Sequence, residues 1–137
     1  MTDTGAFLHR AQLRFSDTDP MGHVNHARFL AYLEDARIAM LQSAGERESL
    51  WDRGIILAKL EIDYLRPIHL ALDPIDVWVW VSHIGRSSFS LGYRIEQDGE
   101  TAARATTVIV AYDYPSSSVR LLANGDRAAL ELYQSRA

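Results

Sequence analysis

Apolar and polar residues alternate from Leu8 to Ser16, with Ala11, Leu13 and Phe15 on one side and Arg10, Gln12 and Arg14 on the other, which predicts a strand. Asp17-Thr18-Asp19-Pro20-Met21-Gly22 interrupts the pattern with turn-forming residues. From about His26 to Ala44 the period becomes helical. Phe29, Leu33, Ala36 and Met40 form one row with Leu30, Leu41 and Ala44 beside it, and Arg28, Asp35 and Gln42 form the opposite polar row. Asn25 suits the N-cap of this helix and Gly45 its end.

Beyond the helix the pattern returns to strands. Ala58, Leu60, Ile62 and Tyr64 alternate with Lys59, Glu61 and Asp63 until Arg66-Pro67 breaks the run. Ile75 to His83 is apolar on both faces, with Val77, Val79 and Val81 on one and Trp78 and Trp80 on the other. The tryptophans either face a partner subunit or pack under the helix, and packing is the expectation. Ser87 to Glu96 alternates through Phe89, Leu91, Tyr93 and Ile95; Asp98-Gly99 signals a hairpin, and Thr101 to Tyr114 makes a long strand. A short helix is expected from about Asp126 to Gln134. One strand, one long helix with a wide apolar stripe and four strands in succession predict an α+β arrangement, a curled antiparallel sheet covering a central helix.

Composition narrows the function without naming it. The chain has 137 residues, read as one domain over 1–137, with 47% apolar and 23% charged residues. With no cysteine there is no disulfide, thiolate metal site or cysteine nucleophile. The formal net charge of −4 argues against a general nucleic-acid binder. The N-terminus lacks a basic stretch followed by an apolar run, and no segment approaches the ~18 apolar residues of a membrane span. The expected location is cytoplasmic, with no membrane insertion.

Ionisable groups crowd the segment before the long helix, from Asp17 to His26. A helix N-terminus offers oriented N–H donors and partial positive charge, suited to a developing oxyanion, and a nearby carboxylate can attack or activate water. The structural alternative is equally ordinary: Asp before a helix caps or turns the chain, and two histidines three apart are commonly surface or core residues.

The string Arg14-Phe15-Ser16-Asp17-Thr18-Asp19-Pro20-Met21-Gly22-His23-Val24-Asn25-His26-Ala27-Arg28-Phe29-Leu30 resembles the opening motif of the 4-hydroxybenzoyl-CoA thioesterase family. Tyr32-Leu33-Glu34-Asp35-Ala36-Arg37 resembles the continuation of that family's helix. Asp63-Tyr64, Arg66-Pro67, Asp76, Gly85-Arg86-Ser87-Ser88 and Asp98-Gly99 follow in the family's order. The resemblance spans roughly Leu8 to Leu122. It implies a hotdog fold, an antiparallel sheet of about five strands wrapped around one long central helix. It implies hydrolysis of acyl-CoA without a metal or organic cofactor, and homodimers or homotetramers with the site between subunits. The family's catalytic aspartate matches Asp19, leaving Asp17 as a turn residue. Its oxyanion donor, a backbone N–H at the helix start, falls at about His26. Gly22, His23 and Asn25 are the neighbouring oxyanion and substrate-positioning candidates. His26 itself is similar to a histidine of the Tol-Pal cluster thioesterases, where many relatives carry asparagine, so its imidazole is a second catalytic candidate. Arg86, with Ser87 and Ser88 beside it, matches a position that contacts the CoA phosphates; the plain alternative is a solvated hairpin.

Competing readings are a non-catalytic acyl-CoA or acyl-carrier-protein binding module of the same fold, a hydratase or dehydratase, and a metal hydrolase using His23 and His26. The last lacks an evident third ligand.

Overall fold

The computed structural model describes residues 5–43 and 53–135. Strand β1 (Phe7–Ala11) leads through a single 3-10 turn at Phe15–Asp17 to helix α1 (His26–Gln42). Strands β2 (Ile55–Tyr64), β3 (Ile75–Ile84), β4 (Ser88–Gln97) and β5 (Glu100–Asp113) follow, then the short β6 (Ser118–Val119) and helix α2 (Asn124–Glu131). The antiparallel sheet runs in the order β1-β3-β4-β5-β2, with β6 added on β5, and α1 packs against it. This is the expected hotdog arrangement, with one short strand that the sequence pattern did not signal.

The core forms where the period of the helix meets the period of the strands. Phe29, Leu33, Ala36 and Met40 are all 1% exposed or less, and they join Val77, Val79 and Val81 of β3 and Phe89, Leu91 and Ile95 of β4 in one cluster. Asn25 caps α1 as expected, its side-chain oxygen accepting from Ala27 N–H at 2.9 Å. Ala44 and Gly45, expected at the other end of the helix, lie outside the described residues. The β4–β5 hairpin turns at Asp98-Gly99, both in the left-handed region at φ 53° and 76°, as a two-residue primed turn requires.

Two expectations are corrected. Regular pairing of β1 ends at Ala11, so the alternation beyond it stops describing a strand, and Phe15 in the 3-10 turn stands 81% exposed instead of joining Ala11 and Leu13 in the core. Trp78 and Trp80 do not pack under the helix. With Val77, Val79 and Val81 turned to α1, the period of two sends both tryptophans to the outer face of the sheet, where they are half-buried. There the Trp80 ring lies so close over Gly92 that a Cβ on that residue would come within 2.5 Å of it.

Candidate active site

The segment between β1 and α1 folds into a miniature hairpin. Thr18 bridges Val24, Asp19 N–H donates to His23 O at 2.9 Å, and Gly22 N–H donates to Asp19 O at 3.0 Å. Pro20 supplies the turn's second position and Gly22 the positive φ of 82° that follows. The half-buried Asp19 carboxylate accepts from Met21 N–H at 2.9 Å through one oxygen, and its other oxygen has no partner among the described residues. Val24 N–H then bonds Ile68 O at 2.9 Å, fastening the hairpin to the β2–β3 connection.

Asp17 is more than the turn residue expected from the sequence. It is 2% exposed, and its carboxylate accepts from the Tyr32 hydroxyl at 2.8 Å and from the Arg14 guanidinium at 3.3 Å, with Arg28 at 3.9 Å. Its own carbonyl accepts Asn25 N–H at 2.8 Å. Burial pushes this carboxyl's pKa up, but the Tyr32 and Arg14 hydrogen bonds and the two nearby cations outweigh it and hold the group below 3.8. For Tyr32, burial and the adjacent Asp17 carboxylate push the phenol well above its usual 10.0. Asp17 therefore ties the connection after β1, the N-cap of α1 and the second turn of α1 into one mount, two residues before Asp19.

Asp19 and His26 line one cleft of about 450 Å³, with Phe29, Tyr64 and Arg66 among its walls. The Tyr64 hydroxyl donates to His26 O at 2.9 Å, and its ring lies tilted at 4.8 Å from the His26 ring and edge-on at 5.0 Å from Phe29. At the start of α1, Ala27 N–H goes to the Asn25 side chain and Arg28 N–H to Asn25 O. The N–H of His26 finds no acceptor among the described residues, so it is the donor left open beside the cleft. His23 also lines the cleft, its ring edge-on to His69 at 4.8 Å. Gly22 and Asn25 are exposed and shape the hairpin and the cap. Tyr64 and Arg66 had signalled a strand face and its end, and had counted among the later motifs of the resemblance, without a place in the site. Among the described residues no three His, Cys, Asp or Glu side chains come together as a metal-ligand set.

Arg86, Ser87 and Ser88 lie elsewhere. Tyr64 is in register with Ala103, Ala103 with Ile95, and Ile95 with Val77, so the cleft sits at the Val77 end of β3. The β3–β4 turn that carries Arg86 is at the other end of that strand, about 30 Å along it. Arg86 is exposed there, and its side chain makes no ion pair with a described residue. One chain does not bring the two candidate groups together.

Among relatives, a 1,4-dihydroxy-2-naphthoyl-CoA hydrolase of Synechococcus elongatus is 32% identical over 101 residues, covering 70% of this chain and 74% of the relative. A solved Thermus thermophilus thioesterase complexed with coenzyme A and Zn is 34% identical, with a TM-score of 0.86 over 100% of this chain and 99% of that one. A 1,4-dihydroxy-2-naphthoyl-CoA thioesterase from Synechocystis superposes with a TM-score of 0.81 at 25% identity, over 91% of this chain and 95% of that one. Residues 13–130 match the model of the thioesterase-like superfamily, and this chain belongs to that family.

Proposed function

We propose that this chain hydrolyses an acyl-CoA thioester to the free acid and CoA. The observation that carries the reading is a half-buried carboxylate and an unclaimed helix-terminal N–H bordering the same cleft. The thioester carbonyl sits at the start of α1, where His26 N–H stabilises the oxyanion of the tetrahedral intermediate. Asp19 either attacks that carbonyl to form a mixed anhydride or takes a proton from an attacking water. In the first route the CoA thiolate leaves and takes a proton from solvent, and water then hydrolyses the anhydride to the free acid and restores the Asp19 carboxylate; in the second the proton that Asp19 took from water passes to the departing thiolate. The His26 ring, held against Tyr64, orients the thioester, and His23 shapes the cleft wall. The relatives and the CoA-bound neighbour support the substrate class. Thiol release from a panel of acyl-CoA substrates tests the reading. Asp19→Asn lowers kcat at least ~100-fold with the fold intact; near-wild-type turnover by this variant overturns the assignment.

The active form in this reading is a dimer built on β2. That strand pairs with β5 on one side and with no described strand on the other, leaving a ten-residue edge open. If two copies pair these edges antiparallel about a two-fold axis, Tyr64 of one lies near Ile55 of its partner. Ile55 is in register with Ala111, whose N–H binds Ser87 O. The partner's β3–β4 turn then stands at the same end of the joint sheet as the Asp19 cleft, two strand spacings, about 10 Å, in from the partner's edge. A CoA chain extended from the cleft reaches Arg86 of the second copy, whose planar guanidinium suits phosphate.

Within the superfamily, the Arg14-to-Leu30 string resembles the 4-hydroxybenzoyl-CoA thioesterases, and His26 is similar to the histidine of the Tol-Pal cluster group. No described helix is long and apolar enough to cross a membrane. A CoA thioester substrate points to the cytoplasm as the place of work.

A further inference from the structure

Three consecutive carbonyl oxygens of the β3–β4 turn are each claimed by a donor from another part of the fold. The Arg127 guanidinium donates to Gly85 O at 2.7 Å, Leu122 N–H to Arg86 O at 2.9 Å, and Ala111 N–H to Ser87 O at 2.8 Å. The first two donors belong to the C-terminal segment, which is itself braced. Asp126, 2% exposed, accepts from Ala123 N–H at 2.8 Å and pairs with Arg53 at 2.7 Å and Arg120 at 3.1 Å. Arg120 in turn donates to Gly54 O at 3.3 Å, at the start of β2.

A peptide unit is planar and trans, so each carbonyl points opposite to the N–H that follows it. With the carbonyls of Gly85 and Arg86 directed onto the C-terminal segment, the N–H groups of Arg86 and Ser87 are directed away from it. Neither N–H has an acceptor among the described residues. Successive N–H groups turned outward form an anion-binding concavity. The exposed Arg86 guanidinium and the Ser87 and Ser88 hydroxyls stand on the same turn.

We propose that Arg127 is a positioning residue for the coenzyme: by holding the Gly85 carbonyl it presents the Arg86 and Ser87 amides, with the Arg86 side chain, to the nucleotide phosphates of CoA. The proposal rests on the reading of this turn as the CoA contact and adds a residue that does not touch the ligand. Arg127 acts only on the part of the substrate that carries phosphate, so its loss is felt as binding and spares the chemistry.

The test is steady-state kinetics of Arg127→Ala, Arg127→Lys, Arg86→Ala and the Arg86/Arg127 double alanine variant, on an acyl-CoA and on the matching acyl-pantetheine. Arg127→Ala raises KM for acyl-CoA about three- to tenfold, leaves kcat within about twofold and leaves acyl-pantetheine kinetics unchanged. Arg127→Lys, which keeps a cationic donor, recovers most of the loss. The double variant is worse than Arg86→Ala alone, since the amides remain to be presented, but by less than the Arg127→Ala loss in the wild-type background, because the side-chain part acts through Arg86 and is not additive. A wild-type KM in Arg127→Ala together with a raised KM in Arg86→Ala overturns the clamp and leaves the phosphate reading standing. No change in Arg86→Ala overturns both. Equal losses on the two substrates, or a fall in melting temperature that accounts for the loss, assign Arg127 to general stability and overturn the proposal.

Discussion

At the scale of single residues, the most consequential side chain beside Asp19 is the one that never meets solvent. Asp17 is buried and charged, and such a group is tolerated only when its hydrogen bonds are complete. Tyr32, Arg14 and Arg28 complete them. Its folded pKa lies below its unfolded value, so its contribution to stability is present above about pH 4 and is lost as pH falls through the folded pKa. Tyr32 has the opposite sign: its raised pKa contributes stability below about pH 10 that is lost in more alkaline solution. Asp17→Asn is expected to destabilise the fold by about 1.5–3 kcal/mol at pH 7, the range for hydrogen bonds to a charged group. It should also flatten the acid limb of the stability curve. Chemical denaturation of wild type and variant from pH 3 to pH 8 checks this, and a constant difference across that range would count against Asp17 as the titrating brace.

At the scale of elements, β3 and β4 show how a close approach decides a sequence position. Trp80 and Gly92 are cross-strand partners on the outer face, and the indole occupies the space a side chain at 92 would fill. The glycine is needed there for contact, since its backbone is ordinary strand. Gly92→Ala should cost about 1–3 kcal/mol as the ring is pushed off its seat. Denaturant titration measures it. A neutral result would mean the indole swings away freely and does not order this face. The sequence pattern showed the element and its two apolar faces, but it does not say which face the long helix α1 covers.

At the scale of the whole molecule, the separation between the Asp19 cleft and the Arg86 turn is the main constraint. If Asp19 and Arg86 serve one acyl-CoA site, as proposed, one protomer does not hold both ends of it, whereas a two-fold pairing through β2 brings them together. The active species should therefore sediment near twice the 15.4 kDa chain mass. Subunit mixing makes the stronger test. Asp19→Asn and Arg86→Ala chains, unfolded and refolded together, should regain about a quarter of wild-type activity at low acyl-CoA, since half of randomly paired dimers hold one intact site of two. Activity equal to the mean of the two parents would place both groups in one subunit's site or exclude Arg86 from it.

Local sequence determined what depends on nearest neighbours along the chain. The period-two runs located β2 through β5 to within a few residues, the helical stripe with Asn25 before it located α1, and Asp98-Gly99 located the hairpin. The motif from Asp17 to His26 identified the segment that holds the cleft, because caps, tight turns and helix starts are short-range chemistry. Tertiary structure alone decided the rest. Asp17 reads as a turn former until Tyr32 and two arginines close on it. Tyr64 reads as a strand residue until its hydroxyl meets His26 O, 38 positions away in sequence. Trp78 and Trp80 were assigned a face only when α1 took the valine side. The distance between Asp19 and Arg86 is invisible in a list of motifs, because it is set by strand order and register. Those in turn are chosen by which long-range pairings bury the most apolar surface.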